Sequence, residues 1–336
     1  MLSVFLVTFP FFALIAAGYA AARLRWLPLE AIPGLNTFVL YFALPCMLYR
    51  FGAGTPIAQL LDGRVLLVWG LSAGLLVAGV VCFTRNARIG WNDASFGAMV
   101  AAFSNTGFMG VPLITALLGA QVAGPIIVTI VFDVFVTSSA CIALSRLDGS
   151  GKHGASRALG QALKGVFANP LPWSILLGAL ASAAQFRLPG PAERSVAMLA
   201  DAASPAALFT IGAVLARSAM LAGRHDGSAA VAAALGSGTQ RAPQAPLADV
   251  LPVVAAKLFA HPLLVWGAAR AAAAVGYPLS TQAEVAIMLV AALPSASNVA
   301  MLAERFGADS GRIARIILWS TAAAFFSFPV VVGWVR

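Results

Sequence analysis

Two apolar stretches of the chain are each interrupted by polar residues, small residues and a proline. The first reads FSNTGFMGVPLITALLG (103–119) and the second VAALPSASNVAMLAERFG (290–307). Proline removes a backbone donor and clashes with the preceding helical turn, so each stretch should be broken where it crosses a membrane. Backbone groups freed at that depth are tolerated only where they line protein or a water-filled cavity. A matched pair of broken helices in two halves of a chain is typical of a secondary transporter's binding site.

The two breaks would form a binding site lined by neutral polar groups. Half-helix N-termini that point inward favour an anion, while freed carbonyl groups favour a cation or a proton-bearing group. Asn, Ser and Thr side chains add donors and acceptors, glycine allows close backbone approach, and the two prolines fix the breaks. The alternative is that these residues only satisfy kinked helices. The candidate substrate-binding residues are Asn105, Thr106, Gly107, Gly110, Pro112, Pro294, Ser295, Ser297 and Asn298.

Three titratable residues lie inside apolar segments, where an ionisable group is a candidate functional residue by default. Asp133 lies in TIVFDVFVTSS, and Lys257 and His261 are four residues apart, which places them on one helix face. We expect the three to form a coupling group or a charge pair beside the site. The alternatives are that Lys257 extends to the membrane interface, that His261 bonds to neighbouring backbone, and that Asp133 forms a structural pair with Lys257 or His261.

The composition indicates a membrane protein. Apolar residues make up 60% of the chain and charged residues 10%, with a mean hydropathy of +0.90, whereas about a quarter of residues in globular domains are charged. We therefore predict an all-α polytopic protein with ten transmembrane helices of about 20 residues each. The predicted spans lie near 2–22, 33–50, 64–84, 95–118, 122–145, 168–186, 196–216, 250–270, 281–303 and 313–335.

The basic residues set the orientation of the spans. The chain has 21 Lys and Arg residues, of which Lys257 falls within a span. With the N-terminus placed outside, only six of the remaining residues fall in outside loops: Arg50, Arg64, Arg187, Arg194, Arg270 and Arg336. The positive-inside rule then predicts that both termini lie outside. We expect a multi-pass protein of a bacterial inner (plasma) membrane. The net charge of +9 is spread over short loops, which argues against a nucleic-acid partner.

The chain repeats itself along its length. LLGAQ (117–121) matches RFGAD (305–309), and ALPCMLYRFGA (43–53) resembles SPAALFTIGAV (204–214). Two halves, 1–145 and 166–336, would each hold five spans, and an odd number of spans inverts the second half in the membrane. We expect a cytoplasmic connector at 146–165 and a flexible cytoplasmic linker, rich in Ala, Gly, Ser and Pro, at 217–249.

Five segments in order along the chain resemble the auxin efflux carrier family, which includes plant PIN exporters and bacterial malonate-type transporters. They are FSNTGFMGVPL, NPLPWSILLGAL, SPAALFTIGAVLA, KLFAHPLL and ALPSASNVAMLAERFGAD. The resemblance implies a bile-acid-symporter-like or PIN-like fold of two inverted five-helix repeats, in which spans 4 and 9 unwind and cross at the substrate. It further implies a scaffold of spans 1, 2, 6 and 7 and a moving, elevator-type unit of spans 3–5 and 8–10. The long loop here follows span 7, unlike that of plant PINs, so auxin is not inferred as substrate.

The function we predict is secondary transport of a small organic anion, a mono- or dicarboxylate of malonate size, by alternating access. Alternatives are a sodium-coupled carrier like the bile-acid symporters and a cation/proton antiporter. The latter usually carries paired carboxylates at its crossing, and segments 103–119 and 290–303 contain no Asp or Glu. The lipid bilayer is the expected surrounding. A proton or sodium as coupling ion and a homodimer as assembly remain open.

An enzyme is not expected. GLSAG (70–74) matches the nucleophile elbow G-x-S-x-G, which would make Ser72 the nucleophile and His261 the base of an intramembrane serine protease. That elbow requires a strand–turn–helix context, and G-x-x-x-G as a helix-packing face explains the same residues better. The three cysteines lie in three different spans with no disulfide or metal-site spacing, so we predict no metal and no cofactor.

Overall fold

The computed structural model describes residues 2–56, 62–147, 170–234 and 246–335, and over these ranges the chain contains helices and no strand. We number the helices α1 to α12 in chain order. They are α1 (Leu2–Arg23), α2 (Ile32–Gly54), α3 (Gly63–Thr84), α4 (Trp91–Ala102), α5 (Thr106–Leu118), α6 (Ala120–Leu144), α7 (Pro170–Ala183), α8 (Gly190–Ala234), α9 (Leu247–Ala274), α10 (Thr281–Ala292), α11 (Asn298–Arg305) and α12 (Ser310–Val335).

Six of these helices are long and apolar enough to cross a bilayer: α2, α3, α6, the Gly190–Arg217 part of α8, α9 and α12. Their number confirms that the chain is an all-helical, multi-pass membrane protein. Eight of the ten predicted spans each coincide with one helix over their described residues, apart from one to three residues at the end of spans 122–145 and 168–186. The spans predicted at 95–118 and 281–303 are each divided into two helices, α4 with α5 and α10 with α11.

Wide helical turns of π type occur in four of the helices, and three of these turns carry candidate site residues. They lie at Val39–Ala43 in α2, Thr106–Gly110 in α5, Asp133–Thr137 in α6 and Ala256–Ala260 in α9. A π turn inserts an extra residue into the helix and redirects the side chains around it, and such turns are frequent at functional sites. Asp133 and Lys257 therefore lie where their helices depart from regular geometry.

The segment predicted as a flexible linker is partly helical. Helix α8 continues to Ala234 and α9 begins at Leu247, so residues 217–234 and 247–249 of the predicted linker (217–249) belong to helices. Alanine has the highest helix propensity of any residue, and SAAVAAA (228–234) outweighs the nearby glycines and serines. Residues 235–245, and residues 148–165 of the predicted connector, lie outside the described part of the chain.

Glycines bring helices from the two halves of the chain into backbone contact. Gly18 of α1 lies against the carbonyl of Phe209 in α8, and Gly212 of α8 lies against the carbonyl of Ile15 in α1. A Cβ atom at either glycine would overlap the facing backbone. Helix α1 packs chiefly along α8 in this way, which is the close association that small residues permit between helices in a membrane.

A second pair of helices packs by the same device. A Cβ atom at Gly52 of α2 would lie 3.0 Å from the Ile175 carbonyl oxygen of α7. A Cβ atom at Gly178 of α7 would lie 2.5 Å from the Tyr49 carbonyl oxygen of α2. Thus α1 of the first half pairs with α8 of the second, and α2 of the first half pairs with α7 of the second. Helices of one half therefore pack against helices of the other half, and the two halves do not form separate bundles.

Candidate functional site

The breaks between α4 and α5 and between α10 and α11 cross each other and pair through their backbones. Ser104 and Ser295 form an isolated antiparallel bridge at the centre of this crossing. Two hydrogen bonds flank the bridge, from the Asn105 amide to the Pro294 carbonyl at 2.9 Å and from the Ala296 amide to the Phe103 carbonyl at 3.0 Å. Each break thus provides hydrogen-bond partners for backbone groups of the other break, which would be costly to leave unpaired inside a membrane.

Only one of the two prolines lies in a break. Pro294 lies between α10 and α11, as predicted, and its carbonyl is part of the crossing. Pro112 lies inside α5, at the start of the regular helix that follows the Thr106–Gly110 turn, so the prediction that Pro112 fixes its break was wrong. The wide turn ahead of it accommodates both the pyrrolidine ring and the missing amide, so the helix continues through this position.

The two glycines predicted at the site have different surroundings. A Cβ atom at Gly110 would lie 2.6 Å from the Leu293 side chain of the other break, so this glycine permits the close approach that its type suggested. Gly107 has no such neighbour within 4 Å of its Cβ position. Thr106 is committed to the break itself, because its amide and hydroxyl both donate to the Ser104 carbonyl, at 2.7 and 3.3 Å.

Polar side-chain atoms at the crossing are buried without a hydrogen-bond partner from the protein. They are Oδ1 of Asn105, Oγ of Ser295 and Oδ1 of Asn298. Ser297 is partly buried at the start of α11. An unsatisfied buried polar group costs about 1–3 kcal/mol, and most native structures avoid it. Three such groups within one crossing are therefore candidates for contact with a polar ligand.

Lys257 reaches the crossing from α9. Its side chain is fully buried, so it does not extend to the membrane interface. Its Nζ donates to Ser104 Oγ at 2.5 Å and to the Ala291 carbonyl at 3.1 Å, and it lies 3.0 Å from Nδ1 of His261. The predicted common face of Lys257 and His261 is thus confirmed. His261 pairs with this ammonium group rather than with neighbouring backbone, and its Nε2 has no partner.

Asp133 is held by a tryptophan and a threonine. The Trp69 indole N–H and the Thr137 hydroxyl both donate to Asp133 Oδ1 at 2.9 Å, while Oδ2 has no partner. The Trp69 ring lies 5.0 Å from the His261 ring, so the indole stands between the carboxyl group and the histidine. Among the described residues no ion pair joins Asp133 to Lys257, so the alternative of a direct structural pair with Lys257 is not seen, although the two groups interact electrostatically at longer range.

Four residues of this region were missed by the reasoning from sequence. Ser104 could have been found, because it occupies in the first break the position that Ser295 occupies in the second. Nothing in the sequence distinguishes Ser320 from other span residues. Its hydroxyl accepts a hydrogen bond from the Ser295 amide at 3.2 Å. Trp69 looks like an ordinary span residue, and only the fold shows that it binds Asp133. Thr137 lies four residues after Asp133 and could have been found from that spacing.

The residues of the protease alternative do not form a catalytic arrangement. Ser72 is buried and donates to the Val68 carbonyl of its own helix at 2.6 Å, and His261 is engaged by Lys257. A Cβ atom at Gly70 would lie 2.9 Å from the Phe132 ring of α6, whereas Gly74 has open space around it. The glycine that precedes Ser72 therefore serves helix packing. Within the described ranges no group of three His, Cys, Asp or Glu side chains is placed to bind a metal.

Comparison with known proteins agrees with this geometry. A family model described as membrane transport protein matches residues 3–332 of the chain. A protein of Rhizobium meliloti (strain 1021) named "Putative malonate transporter" is 31% identical over 321 residues, which cover 93% of this chain and 89% of the relative. The chain therefore belongs to the membrane transport protein family, the auxin efflux carrier family that its sequence resembles, and it is a transporter and not an enzyme.

Proposed function

We propose that this protein is a secondary transporter that binds one small carboxylate, of malonate size, at the crossing and moves it by alternating access. The observation that carries the proposal is the bridged crossing itself, where the buried side-chain oxygens of Asn105, Ser295 and Asn298 lack protein partners beside a buried ammonium group. Each can present a neutral donor to a carboxylate, since a carboxamide can turn to offer its NH₂ group and a hydroxyl can rotate. The name of the Rhizobium meliloti relative supports a substrate of this size.

The electrostatics of the crossing favour an anion over a cation. Helices α5 and α11 begin at the breaks, so the partial positive charge of their N-termini is directed there. Lys257 adds a full positive charge next to Ser104. Residues 103–119 and 290–303 of the crossing carry no carboxylate that could hold a metal cation or a sodium ion directly.

The proposed mechanism moves one group of helices against another. Helices α1, α2, α7 and α8 would form the scaffold, and the remaining helices, with both breaks, would form the moving unit of an elevator. The exchanged glycine contacts of the scaffold helices are what two inverted five-helix repeats would produce. Gly119 and Gly307, the matching glycines of LLGAQ and RFGAD, both have positive φ, at 93° and 70°, which also supports the repeat.

The substrate class is tested by competition. Purified protein in proteoliposomes should take up radiolabelled malonate, and unlabelled malonate or succinate should compete more strongly than acetate, with indole-3-acetate weakest. The crossing segments carry no aromatic cluster that could hold an indole ring, and the aromatic residues of segment 103–119 are Phe103 and Phe108. The proposal fails if no carboxylate binds or moves while an uncharged solute or an alkali cation does.

The orientation is tested by labelling of single cysteines. In a variant without Cys46, Cys82 and Cys141, a cysteine that replaces Gly190 should react with an impermeant thiol reagent from outside intact cells. A cysteine that replaces Ser237 should react only after the membrane is permeabilised, because the basic loops predict a cytoplasmic location. The reverse labelling pattern would rule out ten spans with both termini outside.

Asp133 is proposed as a proton-responsive group coupled to the site through Trp69. Asp133→Asn keeps the shape of the side chain and an oxygen that can accept from Trp69 and Thr137, so the fold should persist. We expect the pH dependence of uptake to flatten in this variant. Asp201→Asn is the matched control, because that carboxylate is exposed and pairs with Arg50 away from the crossing. A wild-type pH profile at wild-type rate in Asp133→Asn would show that Asp133 carries no proton for transport.

A further inference from the structure

The ammonium group of Lys257 has an acceptor for every one of its donors when His261 carries its proton on Nε2, so that Nδ1 accepts. Three atoms surround Nζ: the Ser104 hydroxyl at 2.5 Å, the Ala291 carbonyl at 3.1 Å and Nδ1 of His261 at 3.0 Å. A charged lysine has three N–H donors and no acceptor, so this environment is complete for the ammonium form. The side chain is fully buried and ordered by its contacts, and it has no free N–H group to hold a second substrate carboxylate directly.

No carboxylate of the described residues forms a direct ion pair with this charge, and Asp133 acts on it only at longer range. Asp133 directs one oxygen to Trp69 and Thr137 and forms no ion pair with Lys257 in the described ranges. The Ala291 carbonyl belongs to the last turn of α10, and the negative end of a helix dipole offsets only part of a unit charge. A buried cation that no carboxylate contacts directly is costly, so a site containing one favours a ligand that brings a negative charge close to it.

Ser104 transmits this charge to the crossing. Its Oγ accepts from Lys257, so its own hydroxyl proton must be donated elsewhere. A hydroxyl that accepts from an ammonium group becomes a stronger donor, because chained hydrogen bonds polarise one another. Ser104 lies at the centre of the bridge opposite Ser295, whose Oγ has no protein partner. The polarised hydroxyl is thus positioned at the crossing itself.

We propose that Lys257, acting through Ser104, is the built-in cation of the anion site, so that one substrate carboxylate binds without a co-bound sodium ion. The proposal rests on the proposed function and deepens it. Lys257 is a positioning residue here: it fixes the Ser104 hydroxyl as a donor to the substrate and supplies the charge that a dissolved cation would otherwise bring. When the substrate binds, the negative charge of its carboxylate balances the positive charge of Lys257.

The test measures binding of malonate to the purified protein by thermal shift, in sodium chloride and in choline chloride of equal ionic strength. Wild type should be stabilised equally in both salts. Ser104→Ala should weaken binding by about 10- to 150-fold, the range expected for losing a hydrogen bond to a charged group. Arg50→Gln removes one positive charge at an exposed ion pair and should bind like wild type.

Chemical rescue separates a charge effect from damage to the fold. Lys257→Ala should lose malonate binding in choline chloride, and n-propylammonium, which has the atoms removed beyond Cβ, should restore it. The uncharged isostere 1-propanol should not. The inference is overturned if wild type requires sodium, if Ser104→Ala or Lys257→Ala binds as tightly as wild type, or if propanol rescues as well as propylammonium. If wild type binds no carboxylate in either salt, the proposed function itself fails, and this inference fails with it.

Discussion

Asn105→Ala and Asn298→Ala are each expected to abolish carboxylate uptake while leaving the protein folded and monodisperse. The side-chain oxygens of both residues are buried without a protein partner, so their removal leaves no protein donor unpaired. The backbone pair between Asn105 and Pro294 persists in an alanine variant. Loss of one hydrogen bond to a charged substrate lowers affinity by about 10- to 150-fold, which would bring uptake near background.

The control for this prediction is an asparagine whose side-chain NH₂ group is bound by the protein, although its Oδ1, like those of Asn105 and Asn298, has no partner. Asn92 donates to the carbonyl groups of Phe306 and Gly307, at 3.3 and 3.0 Å, beyond the C-terminal end of α11. Asn92→Ala should therefore lower the melting temperature yet retain most uptake, whereas the crossing variants should keep the melting temperature and lose uptake. Full transport by both Asn105→Ala and Asn298→Ala would reduce these residues to a structural role.

Gly212→Ala is expected to prevent assembly of the folded protein, and Gly18→Ala should act in the same way. The added methyl group would overlap a backbone carbonyl of the facing helix, which no rotamer change can relieve. The two helices would have to separate along their length, at a cost of at least about 1–3 kcal/mol. The measurement is the monodisperse fraction by size-exclusion chromatography and the melting temperature of what remains.

A glycine with open surroundings provides the matched control. Gly74 lies in the interior of α3 with no atom within 4 Å of its Cβ position. Gly74→Ala should be neutral or should stabilise the helix by up to about 1 kcal/mol, because alanine has the higher helix propensity. Wild-type stability of Gly212→Ala would contradict the close backbone contact between α1 and α8.

The helices and the interrupted segments were predictable because each depends on local chemistry. The sequence itself shows apolar runs of membrane-spanning length and the polar residues within them. The i to i+4 spacing of Lys257 and His261 predicted that their side chains lie side by side. The partner of Asp133 was not predictable, because Trp69 lies 64 residues away on α3 and only helix packing brings the two together. A hydropathy pattern also counts tryptophan as apolar, so it does not reveal the indole N–H donor.

The errors in prediction arose where one residue type was given too much weight. Pro112 was taken as the break because proline disrupts regular helices, yet a wide turn absorbs it and the chain breaks at residues 103–105. Scattered glycines and serines suggested that segment 217–249 was a linker with at most a short helix at 229–235, whereas α8 continues without a break to Ala234.

The bridge between the two breaks has a consequence for biosynthesis. The Asn105 amide and the Phe103 carbonyl find their partners only in residues made about 190 positions later. A nascent first half inserted in the bilayer therefore carries unpaired backbone groups until α10 and α11 emerge, which is costly in hydrocarbon. We expect the two halves, when expressed as separate polypeptides, to be stable only together, and the first half alone to be a substrate for membrane quality control.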